Sequence, residues 1–243
     1  ISEHNLYKVH SEIIDFFASS SGSVDIVPIL GDILDPSKLK QNIEKYKVVT
    51  IYHAAAYKHV PMVEDNIISG VQNNVFGTVN LVDASHESSV KNFILISTDK
   101  AVRPTNIMGA SKRIAELILL SKAKNKNSDS IISIIRFGNV LGSSGSVVPL
   151  FKQQILKGGP VTVTHEDITR YFMSQSEAVR LVLEAANFGN GGEIQTISPE
   201  NVFDRSLIFP AILSPGATNR GSEISILTGS CMVISEVAIP SPL

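Results

Sequence analysis

Apolar positions along the chain fall into two alternating kinds of run. From His4 to Ser19, Leu6, Val9, Ile13, Phe16 and Phe17 recur at helical spacing, which predicts an amphipathic helix with Ser2 or Asn5 as its cap. Continuous, β-branched runs follow at Val24–Leu30, Val48–His53, Asn92–Ile96 and Ser130–Phe137. Each is short and bounded by polar residues, as buried parallel strands are. Helices are predicted between them: from Asp35-Pro36 to about Tyr46, and from near Asn66 to Ser85 with Val71, Val75, Val79 and Val82 on one side. A third runs from Met108 to about Lys122, with Ile114, Leu117, Ile118 and Ala115 at core spacing. This alternation predicts an α/β fold, a parallel sheet with helices on both faces.

The pattern changes at Ser146. Val147 to Ile155 reads as a helix closed by Gly158-Gly159-Pro160, and Val161 to Thr164 alternates as a short strand. A last helix is expected from Glu177 to Phe188, capped by Ser174 or Ser176 and stopped by Gly189. The chain therefore divides into 1–145, a small lobe over 146–194, and a tail over 195–243 with no assigned structure. That tail has no lysine and carries Pro199, Pro210, Pro215, Pro240 and Pro242. Its apolar pieces, such as Leu207-Ile208-Phe209 and Ile224-Ser225-Ile226-Leu227, find no place in the pattern.

Bulk properties narrow the function. A net charge of −2 and a pI near 6.3 argue against a nucleic-acid partner or a basic membrane-surface protein. The one cysteine, Cys231, rules out an internal disulfide framework and suits a reducing, cytoplasmic compartment. No apolar run approaches the roughly 18–20 residues that span a bilayer. The opening Ile1-Ser2-Glu3-His4-Asn5 has neither a leading Met nor a signal peptide, so the chain is expected to begin mid-protein.

The candidate chemistry lies between Ser97 and Lys112. Thr98, Asp99 and Lys100 follow the Asn92–Ile96 strand directly, and open α/β sheets bind their ligands outside the carboxyl ends of strands. Lys112 falls one helical turn beyond Met108. A hydroxyl, a carboxyl group and two ammonium groups so placed suit proton transfer on one small molecule. The small residues Ala54-Ala55-Ala56 end another strand and let a flat ligand approach the backbone. Asp32, after a third strand, can accept from an adenine amine.

This stretch resembles the active-site segment of extended short-chain dehydrogenase/reductases of the polysaccharide-biosynthesis type, the nucleotide-sugar 4,6-dehydratases. The likeness extends through Tyr57-Lys58-His59-Val60-Pro61 and Asn73-Asn74 with Gly77-Thr78-Val79-Asn80, and covers Ile1 to about Ile194. Where the family usually has tyrosine this chain has Met108, a feature of its UDP-N-acetylglucosamine dehydratase branch. The resemblance implies a Rossmann-like sheet whose first strand and glycine turn lie before Ile1, and a small C-terminal substrate lobe. It implies catalytic roles for Thr98, Asp99, Lys100, Met108 and Lys112. It places Asp32, Ile33, Ala54, Ala55, Ala56, Lys58, Asn73 and Lys112 on NAD, with NADP as the alternative cofactor. Asn139, Ser146, Val147, Pro149, Thr162 and Arg170 would hold a UDP-N-acetylglucosamine-type sugar nucleotide. His59, a lone histidine beside a proline, is left out of the catalytic set, and no metal is expected.

On this reading the parent protein eliminates water through a 4-keto sugar, forms a homo-oligomer, and has room for inner-membrane helices before Ile1. The chain alone, without the glycine turn, is expected to be inactive, with exposed strand edges. Two rival readings are a nucleotide-sugar 4-epimerase, for which Asp99 and Lys100 would be idle, and a non-catalytic dinucleotide-binding fragment.

Overall fold

A computed structural model describes residues 2–18, 24–124, 130–143, 147–163, 165, 172–189, 191–197, 223–227 and 231–235. In chain order, helix α1 (Glu3–Ala18) leads to strand β1 (Asp25–Ile29), helix α2 (Pro36–Lys45) and strand β2 (Thr50–His53). The short helices α3 (Val60–Asp65) and α4 (Ile67–Val71) run into a π-helical turn (Gln72–Phe76) and helix α5 (Gly77–His86). Strand β3 (Asn92–Thr98), a 3-10 turn (Asp99–Ala101) and helix α6 (Ile107–Ala123) follow. Then come β4 (Ile131–Phe137), β5 (Asn139–Val140), α7 (Val147–Leu156), β6 (Phe172–Met173), α8 (Gln175–Phe188), β7 (Glu193–Ile197), β8 (Glu223–Leu227) and β9 (Cys231–Ser235).

Period-two alternation sorts the strands' side chains onto two faces. Phe93 and Leu95 of β3, with Ile132 and Ile134 of β4, join Leu39 and Ile43 of α2, Leu81 of α5 and Leu119 of α6 in one core. Their neighbours Ile94 and Ile135 point the other way and meet Val182, Ala185 and Ala186 of α8. Helices thus cover both faces, as the sequence predicts. Ser174 caps α8 through a reciprocal capping box with Glu177.

The sheet order is β1-β8-β9-β2-β3-β4-β7. β2, β3, β4 and β7 pair in parallel. The tail, which finds no place in the sequence pattern, sends two strands into the middle of this sheet. β8 pairs in parallel with β1, and β9 pairs antiparallel with both β8 and β2. The facing edges of β1 and β2 are therefore hydrogen-bonded, where the sequence suggested open edges. Peptide groups explain this, since each unpaired strand edge presents a row of donors and acceptors that another strand can satisfy. Leu207-Ile208-Phe209 lies outside the described residues.

Other expectations need correcting. Residues Val161–Val163 form no strand, and Thr164 lies outside the described residues. The segment from Asn66 to Ser85 is not one α-helix, because the π-helical turn divides it. In α6 the buried face is not the Ile114/Leu117 face, whose residues are 44% and 49% exposed. It is Met108, Ser111, Lys112, Ala115, Glu116 and Leu119. Hydrophobicity pointed to the wrong face because this helix buries polar groups that other elements satisfy.

Glu116 is the extreme case, with no exposed surface. It accepts from Ser97 Oγ at 2.6 Å on β3, from Arg136 Nε at 2.7 Å on β4, and from Arg113 Nη1 at 2.9 Å. Burial pushes its carboxyl pKa up, but the hydrogen bonds from Arg136, Ser97 and Arg113 outweigh that and hold it below the usual range. Its charge thus contributes stability above the unfolded-state pKa, and that contribution is lost as pH falls through the folded-state value. Glu116→Gln keeps the volume but strands the guanidinium groups. Breaking a buried pair costs about 3–5 kcal/mol. Urea unfolding should report that loss at neutral pH, and the acid-side slope carried by Glu116 should be missing from the variant.

Candidate active site

Strand β3 ends in extended conformation at Thr98, whose Oγ accepts the Lys100 amide at 3.3 Å and caps the 3-10 turn. The Thr98 hydroxyl donates to Asp99 Oδ1 at 2.9 Å, and Lys100 Nζ donates to the same oxygen at 3.1 Å. The chain then folds back onto the first turn of α6. A Cβ on Gly109 would stand 2.4 Å from the Lys100 carbonyl oxygen, so only glycine permits this approach. Asn106 caps α6 by accepting from the Gly109 amide at 2.8 Å, and Glu64 of α3 accepts the Ile107 amide at 2.6 Å. These contacts fill sites left open at a helix start.

Met108 and Lys112 share the buried face of α6, and Lys112 Nζ donates to the Ile96 carbonyl of β3 at 3.0 Å. Burial holds the Lys112 pKa down to about 8, with the Glu116 carboxylate offsetting part of the effect. A second buried network anchors the same helix. Asn74, within the π-helical turn, accepts the Tyr57 amide at 2.7 Å. It also donates to the Tyr57 carbonyl and to Ser111 Oγ, each at 3.0 Å, and Ser111 in turn donates to the Met108 carbonyl. Thr78 donates to the Asn74 carbonyl, so its oxygen accepts from His53 Nε2 at 2.8 Å and His53 is neutral with Nδ1 bare. Burial, then the nearby Lys112 charge, lowers the His53 pKa to about 3.

These elements surround a cleft of about 1400 Å³. Ala54, Ala56, Lys58, Thr98, Lys100, Met108, Lys112, Asn139, Val147 and Thr162 all line it, so most of the sequence-predicted site comes together. Asp99 is absent from the wall and reaches it only through its neighbours. Ala55 and Ile33 are buried in the core, where a Cβ on Gly77 would collide with Ile33. Asp32 accepts the Leu34 amide at 2.9 Å, Pro149 lies off the wall, and Asn73 donates to Asn74 instead of facing the cleft. Ser146 and Arg170 lie outside the described residues. Sequence reasoning missed Asn74, Glu64 and Glu116, and it left out His59, which lines the cleft with Phe137, Phe151 and Phe172. The π-helical turn would have pointed to Asn74, but hydrophobic periodicity does not register a single inserted residue.

The wall suits a dinucleotide. Ala54 and Ala56 leave the backbone of β2's carboxyl end open to a flat group, and Lys112 offers an ammonium at the strand end. Among the described residues no group of His, Cys, Asp and Glu could hold a metal ion, and no helix is long and apolar enough to cross a membrane.

Residues 1–204 match the family described as polysaccharide biosynthesis protein. The chain belongs to that family. It is 45% identical to the capsular polysaccharide biosynthesis protein CapD of Staphylococcus aureus over 79% of its length, and spans 31% of that protein. The structure of Pen from Bacillus thuringiensis superposes with a TM-score of 0.73 at 33% identity, covering 81% of this chain and 59% of Pen. A DesIV double mutant (dTDP-glucose 4,6-dehydratase) from Streptomyces venezuelae with NAD bound gives a TM-score of 0.63, over 69% of this chain and 56% of its own. At 23% identity this last likeness is one of fold, and the fold is the Rossmann-like sheet read from the sequence.

The ammonium of Lys112 is therefore a family member's buried charge, and its cost can be measured. Folded, Lys112 sheds its proton near pH 8, whereas unfolded it holds on to about 10.5. Between those values the unfolded chain binds more protons, so stability rises with pH there. Each tenfold difference in proton affinity is worth about 1.4 kcal/mol, which makes the rise on the order of 3 kcal/mol. Lys112→Met should be more stable than wild type at neutral pH, and urea unfolding should show wild type closing the gap between pH 8 and 10.5. A constant gap would mean that Lys112 is not desolvated.

Proposed function

We propose that the chain is the catalytic part of a UDP-N-acetylhexosamine 4,6-dehydratase acting in the synthesis of capsule or related glycan precursors. The observation that carries this reading is the convergence of Thr98, Lys100, Met108 and Lys112 on one cleft at the end of β3, with Asp99 hydrogen-bonded to two of them. NAD, when bound, supplies reversible hydride uptake. Ala54, Ala56 and Lys58 would hold it, and Lys112 would bind the nicotinamide ribose. Asn139, Val147 and Thr162 line the side that would take the nucleotide of the sugar substrate. Gln154 fixes Thr162 by accepting its amide and donating to its hydroxyl, each at 3.0 Å.

Thr98 binds the sugar 4-hydroxyl. A ketone at carbon 4 acidifies carbon 5, from which Lys100 removes a proton, while Asp99 furnishes the proton with which the carbon-6 hydroxyl leaves as water. Met108 has no exchangeable proton, so it serves as an apolar wall and not as a base. The ring of exposed and half-buried polar groups on one side and Phe137, Phe151 and Phe172 on the other suits a sugar nucleotide, with a polar and a flat part.

In the full-length protein, Asp99→Asn and Lys100→Ala should each lower formation of the 4-keto-6-deoxy product from UDP-N-acetylglucosamine by about 100- to 10,000-fold. Mass spectrometry decides the reaction, because dehydration removes one water and epimerisation leaves the mass unchanged. Losses below about tenfold in both variants, against that general acid–base scale, would remove the assignment.

A further inference from the structure

Tyrosine is replaced by Met108 in this cleft, which leaves unexplained the group that takes the proton of the sugar 4-hydroxyl. Two facts of the structure bear on it. Asp99 does not line the cleft. Its Oδ1 is nonetheless joined to the cleft by the Thr98 hydroxyl, which donates to it at 2.9 Å, and by Lys100 Nζ at 3.1 Å. Thr98 Oγ already accepts the Lys100 amide at 3.3 Å, which fixes the hydroxyl's orientation and leaves an acceptor lone pair for the cleft. Lys112, the other cation nearby, is tied to the Ile96 carbonyl. No described carboxylate stands on the cleft wall itself.

We propose that Thr98 is a proton relay between the substrate and Asp99, so that the acid needed for elimination is loaded by the oxidation that precedes it. The proposal rests on the dehydratase reading. The cycle starts with Asp99 ionised and Lys100 neutral, the Lys100 proton having left to solvent, to which its side chain is 40% exposed. As carbon 4 gives up hydride to the oxidised dinucleotide, its hydroxyl proton passes to Thr98 Oγ and the Thr98 proton passes to Asp99 Oδ1. Lys100 takes the carbon-5 proton. The proton stored on Asp99 returns through Thr98 to the neighbouring carbon-6 oxygen, the C6–O bond breaks, and water leaves. Hydride returning to carbon 6 and the Lys100 proton returning to carbon 5 restore both side chains. Net change is the loss of one water, with no oxidant consumed.

The test uses the full-length protein with NAD and UDP-N-acetylglucosamine, and the present chain by NMR without either. Thr98→Val should lose at least about 100-fold in 4-keto formation, the scale of a proton-transfer group, while Thr98→Ser stays within about tenfold on the same scale. Thr98→Ala adds no bulk and reads the same loss if the valine variant is poorly folded. Met108→Tyr in the Thr98→Val background supplies a separate base and should recover part of the loss, and it should recover nothing in Asp99→Asn. In the cofactor-free chain, the Lys100 amide signal should follow the Asp99 carboxyl as pH changes, through the Thr98 hydroxyl, in wild type and Thr98→Ser. That response should be weaker in Thr98→Val. Water loss that persists in Thr98→Val and Thr98→Ala, or an unchanged Lys100 response, overturns the relay alone. A wild-type protein that forms no dehydrated product overturns the dehydratase reading, and the relay falls with it.

Discussion

Helix α6 lays Met108, Ser111, Lys112, Ala115, Glu116 and Leu119 against the sheet, and Ser111, Lys112 and Glu116 on that stripe are polar. Each must find a partner in a medium where an unpaired group costs several times what a pair returns. Their partners come from different elements: Asn74 of the π-helical turn, the Ile96 carbonyl and Ser97 of β3, and Arg136 of β4. The helix cannot turn or slide without breaking all of them together. This is how a surface helix comes to hold Met108 and Lys112 at a fixed place beside the end of β3.

The loop from Thr98 to Asn106 inherits its rigidity from that placement. Its far end is the cap of α6, and its middle lies so close to Gly109 that no side chain fits between them. Glu64 adds a contact from α3, the element that also carries Met62 and Val63 onto the cleft wall. Catalytic geometry is therefore set by backbone caps and close packing. Flexible charged side chains at the surface contribute little of this kind, since exposed ion pairs are worth at most about 1 kcal/mol.

Sheet completion follows a different logic. β1 and β2 are consecutive in sequence, joined through α2, yet β8 and β9 stand between them. The α2–α5 packing around Leu39, Ile43 and Leu81 holds β1 and β2 in one layer from the outside, and the tail supplies the hydrogen bonds between them. β9 runs antiparallel because it follows β8 after only three residues, too few for the crossover that a parallel pair needs.

The sequence by itself determined the strands, the order of helices between them, and the position of Thr98, Asp99 and Lys100 past a strand's carboxyl end. These follow from local periodicity, which backbone geometry converts directly into secondary structure. Tertiary structure decided the rest. It put Asn74 in place of Asn73 at the network's centre and withdrew Asp99 from the cleft wall. It turned the polar stripe of α6 inward, against its apolar Ile114 and Leu117, and gave the tail's Ile224–Leu227 a place beside β1. The reason is common to all four. A polar group's position depends on partners far along the chain, such as Arg136 for Glu116 or β1 for β8, and no local pattern of hydrophobicity encodes where those partners will stand.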